Sequence, residues 1–487
     1  MGRMRFDEYV QYDGLGLAAL VRAGEVTAHE LLDVALQRAA DTDAAIAAVV
    51  HIEEGVARRA IDAGLPDGPF TGVPLLLKDL GSEAIDFPSS LGSRLFRDHR
   101  FGFDSEIFVR MRASGLNAFG RTTAPEGGVG PTTEAQVYGR ATRNPWNTDH
   151  VCGGSSGGSG AAVAAGITPV AHGGDGGGSV RIPASNCGLF GLKPTRALLP
   201  DGPASGEGWA GMTIDGLFTR SVRDQAAYLD ACAGPDLGVP YYAPRYSPPD
   251  HASYLAAIDH APRRLRIAVS TRSFTGEPIH PDCVAAVEHT ARLLDSLGHE
   301  VVPADPDVPM HEFMRAWSRI VACGSQLMVD TRVAQLGLVD AGDLIEPLTR
   351  LSCEMAAGVS GAQYLASVDT VHALGRTVAA FMQPFDALLT STMGEPPARI
   401  GRFDPRRTDA WQSFLDYRLE HVLPYSPFTP LANGTGQPAM SLPLFVNEAG
   451  LPVGTHIMGH AGDDHVLLQL AAQLEQADPW FHRRPSL

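Results

Sequence analysis

The sequence is short of basic residues and of long apolar runs, and each shortage excludes a class of protein. Its 487 residues hold 55 Asp and Glu against 38 Lys and Arg, a net charge of −17. A nucleic-acid-binding surface normally carries a basic stripe, so we expect no nucleic-acid partner. No uninterrupted apolar run approaches the roughly 18 residues of a membrane-spanning helix. The N-terminus also has no apolar core of signal-peptide length, so we expect no membrane association.

Cysteine is scarce and scattered. The six cysteines form no CxxC pair, which argues against both a zinc site and a disulfide framework. We therefore expect reduced thiols and a cytoplasmic location.

Lysine is almost absent. Of the 38 basic residues only Lys78 and Lys193 are lysines, and the rest are arginines. Arginine cannot give up its proton in a protein, whereas a desolvated lysine can. A position that retains lysine is therefore a candidate for a neutral amine. The alternative is that both lysines are ordinary surface residues.

Strand and helix patterns alternate along the chain and predict an α/β class with a mixed central sheet flanked by helices. "FTGVPLLLKDL" predicts a buried strand that ends at Lys78-Asp79. Thr27 with Glu30 forms a capping-box signature at the start of a helix. Residues 234–250 are rich in proline and predict a surface connection, and residues 305–380 are expected to be mostly helical.

Two glycine–serine clusters, "GGSSGGSG" from residue 153 and "GGDGGGS" ending at Ser179, are the main functional signal. A phosphate-binding loop would need a Gly-Lys-Ser/Thr ending, and no lysine lies between Lys78 and Lys193. "GGSSG" also matches the G-x-S-x-G nucleophile elbow, which would make Ser155 the nucleophile of an α/β-hydrolase-like esterase. That motif needs a strand directly before it, and "RNPWNTDHVC" is a poor strand candidate.

Both clusters together resemble the signature of the amidase signature family. Further blocks occur in that family's order: "FTGVPLLLKDL", "GRTTAPE", "ATRNPWN", "GLFTRSVRD", "DALLTST", "GQPAMSLPL" and "GLPVGTHIMG". The resemblance covers residues of about 70–225 and 383–475. It implies one amidase domain over residues 1–487, with the variable residues 235–380 adding helices that roof the substrate pocket.

The resemblance also implies the site. By its motifs the nucleophile is Ser179, the bridging serine is Ser155 after a cis Gly154–Ser155 peptide, and the base is Lys78. The backbone N–H groups of Gly176, Gly177, Gly178 and Ser179 would form an oxyanion hole. Gly128 and Gly130 match positions that line the acyl pocket, where the lack of side chains suggests room for a bulky group.

The residue chemistry agrees with these roles. A serine hydroxyl attacks only if a base removes its proton, and lysine accepts a proton only when neutral. Apolar Leu75, Leu76 and Leu77 would desolvate Lys78 and lower its pKa. We expect Lys193 and His172 to be structural, and Asp175 and Arg181 to brace the Ser179 loop.

The activity that the resemblance implies is hydrolysis of carboxamide C–N bonds in a small-molecule substrate, with no metal or organic cofactor, by a monomer or homodimer. The wording of the blocks is similar to the branch with 6-aminohexanoate cyclic-dimer hydrolases, aryl acylamidases and urethane-cleaving enzymes. Secondary amides, anilides, oligoamides or carbamates are therefore the expected substrates. Two other functions stay open: a glutaminase-type amidotransferase subunit that supplies ammonia to a partner, and a catalytically inactive binding scaffold.

Overall fold

An 11-stranded sheet forms the centre of the molecule. The computed structural model describes residues 4–407 and 410–487. Its strands are β1 Val49–Val50, β2 Pro74–Lys78, β3 Asn117–Thr122, β4 Arg143–Asn144, β5 Asn147–Val151, β6 Val170–Asp175, β7 Phe190–Lys193, β8 Ile214–Thr219, β9 Arg266–Val269, β10 Glu300–Pro303, β11 Ala387–Ser391, β12 Ala439–Leu442 and β13 Thr455–Gly459. The order in the sheet is β1-β3-β2-β6-β8-β7-β12-β13-β11-β9-β10, while β4 and β5 pair separately.

The sheet is mixed. β2 runs parallel to β3 and β6, and β9 runs parallel to β10 and β11. The strands between these groups pair antiparallel, from β6–β8 to β11–β13. Because β2 and β6 are parallel, their carboxyl ends lie at the same edge, where Lys78 ends one strand and Asp175 ends the other.

Helices flank this sheet, which confirms the predicted α/β class. They are α1 Phe6–Tyr9, α2 Gly14–Arg22, α3 Ala28–Ile46, α4 Glu54–Ala63, α5 Glu106–Ala113, α6 Gly157–Ala164, α7 Arg181–Cys187, α8 Val222–Cys232, α9 Tyr254–Ala257, α10 Pro281–Ser296, α11 Met310–Leu336, α12 Pro347–Ala357, α13 Gly361–Met382, α14 Phe414–Asp416, α15 Leu423–Tyr425, α16 Thr429–Thr435 and α17 Asp464–Ala477. A π-helical turn, Tyr417–Val422, joins α14 to α15. Within the described ranges no helix is both long and apolar enough to cross a bilayer.

Local signals placed several elements correctly. Thr27 caps α3 with the predicted capping box, and β2 ends at Lys78 with all five residues buried. The expectation for "RNPWNTDHVC" was wrong, because β5 forms there and pairs with β4 through Arg143 and Asn144. That hairpin lies outside the central sheet.

The alternation along β2 decides where Lys78 points. Leu75 and Leu77 pack in one hydrophobic cluster, whereas Leu76 packs in another with the alanines of α6. Successive side chains of a strand point to opposite faces, so Lys78 shares the face of Leu76. This places its ammonium group on the α6 side of the sheet, where Ser155 precedes the helix.

Residues 305–380 form the long helices α11, α12 and α13, as expected from the sequence. Helix α11 borders the cavity that Lys78 and Ser155 also line, through Gly324, Ser325 and Met328. That residues 1–487 form a single domain stays a prediction.

Candidate active site

Lys78 and Ser155 are in direct contact. Lys78 Nζ donates a hydrogen bond to Ser155 Oγ at 2.7 Å and lies 3.5 Å from the carbonyl oxygen of Gly174. Both side chains are almost fully buried, at 2% and 3% exposure. The Gly154–Ser155 peptide is cis, the geometry that the family resemblance implied.

Burial lowers the pKa of the Lys78 amine to about 7, while the charges of Asp215 and Asp175 oppose this shift. The apolar residues before it on β2 exclude water, and an ammonium group without water loses its main stabilisation. A substantial fraction of the amine is therefore uncharged near neutral pH. A neutral amine has a lone pair that accepts a proton across the 2.7 Å contact with Ser155.

Ser179 lies on the loop between β6 and α7 and borders the same cavity as Lys78 and Ser155. Its side chain is half-buried, and its hydroxyl has no hydrogen-bond partner among the described residues. The Ser179 carbonyl oxygen accepts from the N–H of Ser156 at 3.2 Å, which ties the two serine clusters together. The structure therefore brings the three predicted side chains to one cavity and hydrogen-bonds two of them.

Asp175 and Arg181 hold the Ser179 loop in shape. Asp175 Oδ1 accepts from Gly178 N at 2.8 Å, and Oδ2 accepts from Val180 N at 3.1 Å. Arg181 donates to both carboxylate oxygens, at 3.0 and 2.9 Å. Burial alone would raise the pKa of Asp175, but the Arg181 charge and hydrogen bonds from Arg181 and Asn433 hold it well below its usual range.

Only some of the N–H groups predicted for the oxyanion hole are available to a substrate oxygen. Gly178 cannot donate to a substrate, since its N–H already bonds Asp175, and the geometry does not support this member of the predicted set. The N–H groups of Gly176, Gly177 and Ser179 have no acceptor in the described part of the chain. Trp317 Nε1 donates to Gly176 O at 3.3 Å and Thr429 Oγ1 donates to Gly177 O at 2.7 Å, which fixes the two peptide planes.

The cavity in front of Ser179 has a volume of about 460 Å³. Its wall carries Lys78 and four carboxylates, those of Glu83, Asp201 and Asp215 and that of Asp175, which is paired with Arg181. Burial, followed by repulsion from Asp215 and Glu83, raises the pKa of Asp201 to about 7. No sequence pattern marked Glu83, Asp201 and Asp215 as neighbours, because they come from separate segments of the chain.

Gly128 and Gly130 lie where a substrate could reach. Gly128 borders the large cavity and a second, smaller one, while Gly130 borders only the smaller one. A Cβ on Gly128 would meet Leu80 Cδ2 at 2.5 Å, so Leu80 already occupies the space that we expected to be open. A Cβ on Gly130 would have only ordinary contacts, the first at 3.6 Å from Tyr417 Oη.

The other candidate bases have different surroundings. His172 accepts from Lys78 N through Nδ1 at 3.3 Å and contacts Asp215 Oδ1 through Nε2 at 2.9 Å. Lys193 is also buried and donates to Pro194 O at 2.7 Å, and burial lowers its pKa to about 7. Neither lysine is therefore a surface residue.

A nucleophile elbow at Ser155 would need a histidine later in the chain, and His456, His460 and His465 are the candidates. His456 contacts Arg181, and His460 contacts Phe385 O. Neither they nor His465 borders the cavity that holds Ser155. Among the described residues no group of three or more His, Cys, Asp or Glu side chains is arranged to hold a metal ion.

Comparison with known proteins agrees with this geometry. The amidase family model matches residues 30–468. The chain belongs to the amidase signature family. This amidase is 37% identical over 482 residues to 6-aminohexanoate-cyclic-dimer hydrolase of Paenarthrobacter ureafaciens, covering 98% of this chain and 96% of the relative. It is 35% identical to the putative amidase AmiB2 of Mycobacterium tuberculosis, covering 96% and 97% of the two chains.

Solved structures give the same result. The amidase superposes on 6-aminohexanoate cyclic dimer hydrolase complexed with substrate with a TM-score of 0.92 at 36% identity, covering 98% and 99% of the two chains. A bacterial aryl acylamidase of the amidase signature family gives 0.84 at 26% identity, covering 96% of each chain. The protein is an amidohydrolase that cleaves amide C–N bonds.

Proposed function

We propose that this amidase hydrolyses secondary amides, anilides, oligoamides or carbamates through an acyl-enzyme on Ser179, with Ser155 and Lys78 as the proton relay. One observation carries the proposal: a buried lysine with a lowered pKa lies 2.7 Å from a serine in the cavity that Ser179 borders. A perturbed lysine in a cleft is a physical mark of an active site.

The reaction balances within these three side chains and water. Ser179 Oγ attacks the carbonyl carbon while its proton passes to Ser155, whose own proton passes to the Lys78 amine. The oxyanion accepts from free N–H groups of Gly176, Gly177 or Ser179. The C–N bond then breaks as the proton returns from Lys78 through Ser155 to the leaving nitrogen. Water attacks the acyl-enzyme by the same route and releases the acid.

The relay requires Ser155 and Ser179 to share a proton, and their hydroxyls are not hydrogen-bonded to each other here. Catalytic hydrogen bonds often tighten only when substrate binds. The free hydroxyl of Ser179, facing a cavity of about 460 Å³, is the group that a substrate carbonyl would meet.

The substrate class rests on two supports. The relatives include a 6-aminohexanoate-cyclic-dimer hydrolase and an aryl acylamidase. A cyclic dimer of 6-aminohexanoate and an aryl acylamide are both secondary amides. The cavity also has room for more than a primary amide of a small acid. We further propose that the protein acts in the cytoplasm, without a cofactor, as a monomer or homodimer, for which size-exclusion chromatography coupled to light scattering is the test.

Intact-mass analysis after fluorophosphonate treatment tests the nucleophile. We expect one adduct, mapped to Ser179, and none in Ser179→Ala. Ser205→Ala, a change at an exposed serine of the same cavity, should label like the wild type. An adduct on Ser155 would support the esterase alternative and overturn the proposal.

A substrate panel tests the class. We expect higher kcat/KM for anilide, oligoamide or carbamate substrates than for glutamine. Glutamine selectivity together with copurification of a kinase-like partner subunit would instead support the amidotransferase alternative. A chain that neither labels with fluorophosphonate nor hydrolyses any of the panel would support the binding-scaffold alternative.

A further inference from the structure

A second cavity lies on the other side of Ser179. It has a volume of about 30 Å³ and is bordered by Ser179, Gly130, Trp317 and Arg418. This volume holds one group of a few heavy atoms, since a single water already needs about 10–15 Å³ by a comparable measure. Ser179 borders both cavities, so a group seated in the small one belongs to the molecule whose carbonyl Ser179 attacks.

Arg418 is a buried cation without a counterion. It is 4% exposed, yet its side chain forms no hydrogen bond or ion pair with any residue that the structure describes, and its Nε is buried without a partner. Its Cζ lies over the ring of Trp317, 4.1 Å from the centroid. Burial lowers the pKa of Arg418 to about 10, which leaves it charged at neutral pH.

The two arginines with no exposed surface, Arg121 and Arg181, are fully partnered. Arg181 bonds both oxygens of Asp175, and Arg121 donates to backbone carbonyls that include those of Lys78 and Ser82. An unpaired buried charge is strongly destabilising, so proteins normally pair it. Arg418 is also part of the π-helical turn Tyr417–Val422, a geometry that occurs frequently at functional sites.

The two sides of Ser179 therefore differ in charge. Arg418 is the only charged side chain among the described residues that border the small cavity. The large cavity has in its wall the carboxylates of Glu83, Asp201 and Asp215, besides that of Asp175, which is paired with Arg181. The carboxylates of the large cavity disfavour an anionic group of the substrate there. In the small cavity no acidic side chain among the described residues competes with such a group for Arg418.

We propose that Arg418 binds a carboxylate of the substrate, so that this amidase prefers amides in which one fragment carries a carboxylate a short distance from the scissile bond. This inference rests on Ser179 being the nucleophile. The planar guanidinium presents paired N–H donors that match the two oxygens of a carboxylate. The ring of Trp317 keeps the guanidinium plane in place while its edge stays available. The substrate then supplies the counterion that the chain lacks.

Two matched substrate pairs test this. N-succinyl-4-nitroanilide against N-butyryl-4-nitroanilide places the charge on the acyl side, and N-acetyl-4-aminobenzoate against N-acetyl-4-aminobenzamide places it on the amine side. We expect the wild type to favour the carboxylate member of one pair. Hydrogen bonds to charged groups account for roughly ten- to hundred-fold effects, so Arg418→Gln should reduce this preference by about that factor. The kcat/KM for the neutral member should fall by a clearly smaller factor than that for the carboxylate member.

Arg418→Lys keeps the charge but not the paired donors, and we expect it to retain an intermediate preference. Arg94→Gln, which changes an arginine that borders neither cavity, should leave the preference unchanged. Fluorophosphonate labelling of Ser179 shows whether each variant is folded with a reactive nucleophile.

The inference is overturned if neither pair shows a carboxylate preference, or if Arg418→Gln lowers both members of a pair equally. A different result would show that the proposed function itself is wrong: Ser179→Ala would still hydrolyse the neutral anilide.

Discussion

Arg181 and Asp175 form an ion pair beneath the nucleophile loop, with 2.9 Å between Arg181 Nη2 and Asp175 Oδ1 and both side chains fully buried. The same carboxylate accepts from the N–H groups of Gly178 and Val180 on either side of Ser179. The ion pair thus holds the conformation of the backbone that carries the proposed nucleophile, Ser179. Gly176 and Gly177 of the same loop supply free N–H groups for the oxyanion hole.

Asp175→Asn should destabilise the protein and distort the loop. The change leaves Arg181 as an uncompensated buried charge, a situation that costs roughly 3–5 kcal/mol. Urea unfolding measures the free energy of unfolding. Asp305→Asn, which removes an exposed partner of Arg272, is the control and should change it by less than about 1 kcal/mol. Equal, small effects of the two variants would contradict the bracing role of Asp175.

Lys78→Arg should be nearly as inactive as Lys78→Ala, with kcat/KM reduced by roughly 10⁴-fold, as when a member of a catalytic triad is removed. Guanidinium keeps its proton and therefore cannot accept one from Ser155. The rate of anilide hydrolysis is the measurement. Substantial activity in Lys78→Arg would refute the role of Lys78 as the base.

The pH profile of the wild type should follow the Lys78 amine. Burial lowers the pKa of Lys78 to about 7, and the amine acts as a base only when neutral. We therefore expect kcat/KM to rise about tenfold per pH unit below pH 7 and to level off above it. A profile flat from pH 5 to 9, measured where chemistry limits the rate, is the contrary outcome.

Lys78→Met should be more stable than the wild type near pH 7. The folded-state pKa of about 7 lies below the ordinary lysine pKa of 10.5, so between these pH values the unfolded chain binds a proton that the folded protein excludes. The stability of the wild type consequently rises with pH through this window, and the variant lacks this dependence. We expect the stability advantage of the variant to shrink from pH 7 to pH 10 in urea unfolding. An advantage independent of pH would point to a packing effect instead.

Gly178→Ala should abolish activity. Gly178 has a φ of +121°, and a Cβ there would meet Thr429 Oγ1 at 2.2 Å. The loop would have to move away from its bonds to Asp175, and Ser179 with it. Gly102→Ala is the control, because nothing lies within 4 Å of its Cβ position. Retained fluorophosphonate labelling of Gly178→Ala at the wild-type rate would contradict this prediction.

Part of the site was predictable because its signals are local. The apolar run before Lys78 predicted a buried strand, and the two glycine–serine clusters marked the loops of Ser155 and Ser179. The near absence of lysine also singled out Lys78 and Lys193, and both are buried. The role of Gly178 was not predictable in this way, since only the folded loop shows its N–H bonded to Asp175.

The sequence by itself determined the α/β class and the order of the main elements, because periodicity and caps are properties of neighbouring residues. Its long family motifs also identified Lys78, Ser155 and Ser179, which the structure brings to one cavity. Only the tertiary structure decided the charge of the two cavities. Glu83, Asp201 and Asp215 meet there from distant segments, and Arg418 stands beside Trp317 without a counterion. Burial and charge pairing depend on which distant segments meet in space, and a one-dimensional pattern does not record that.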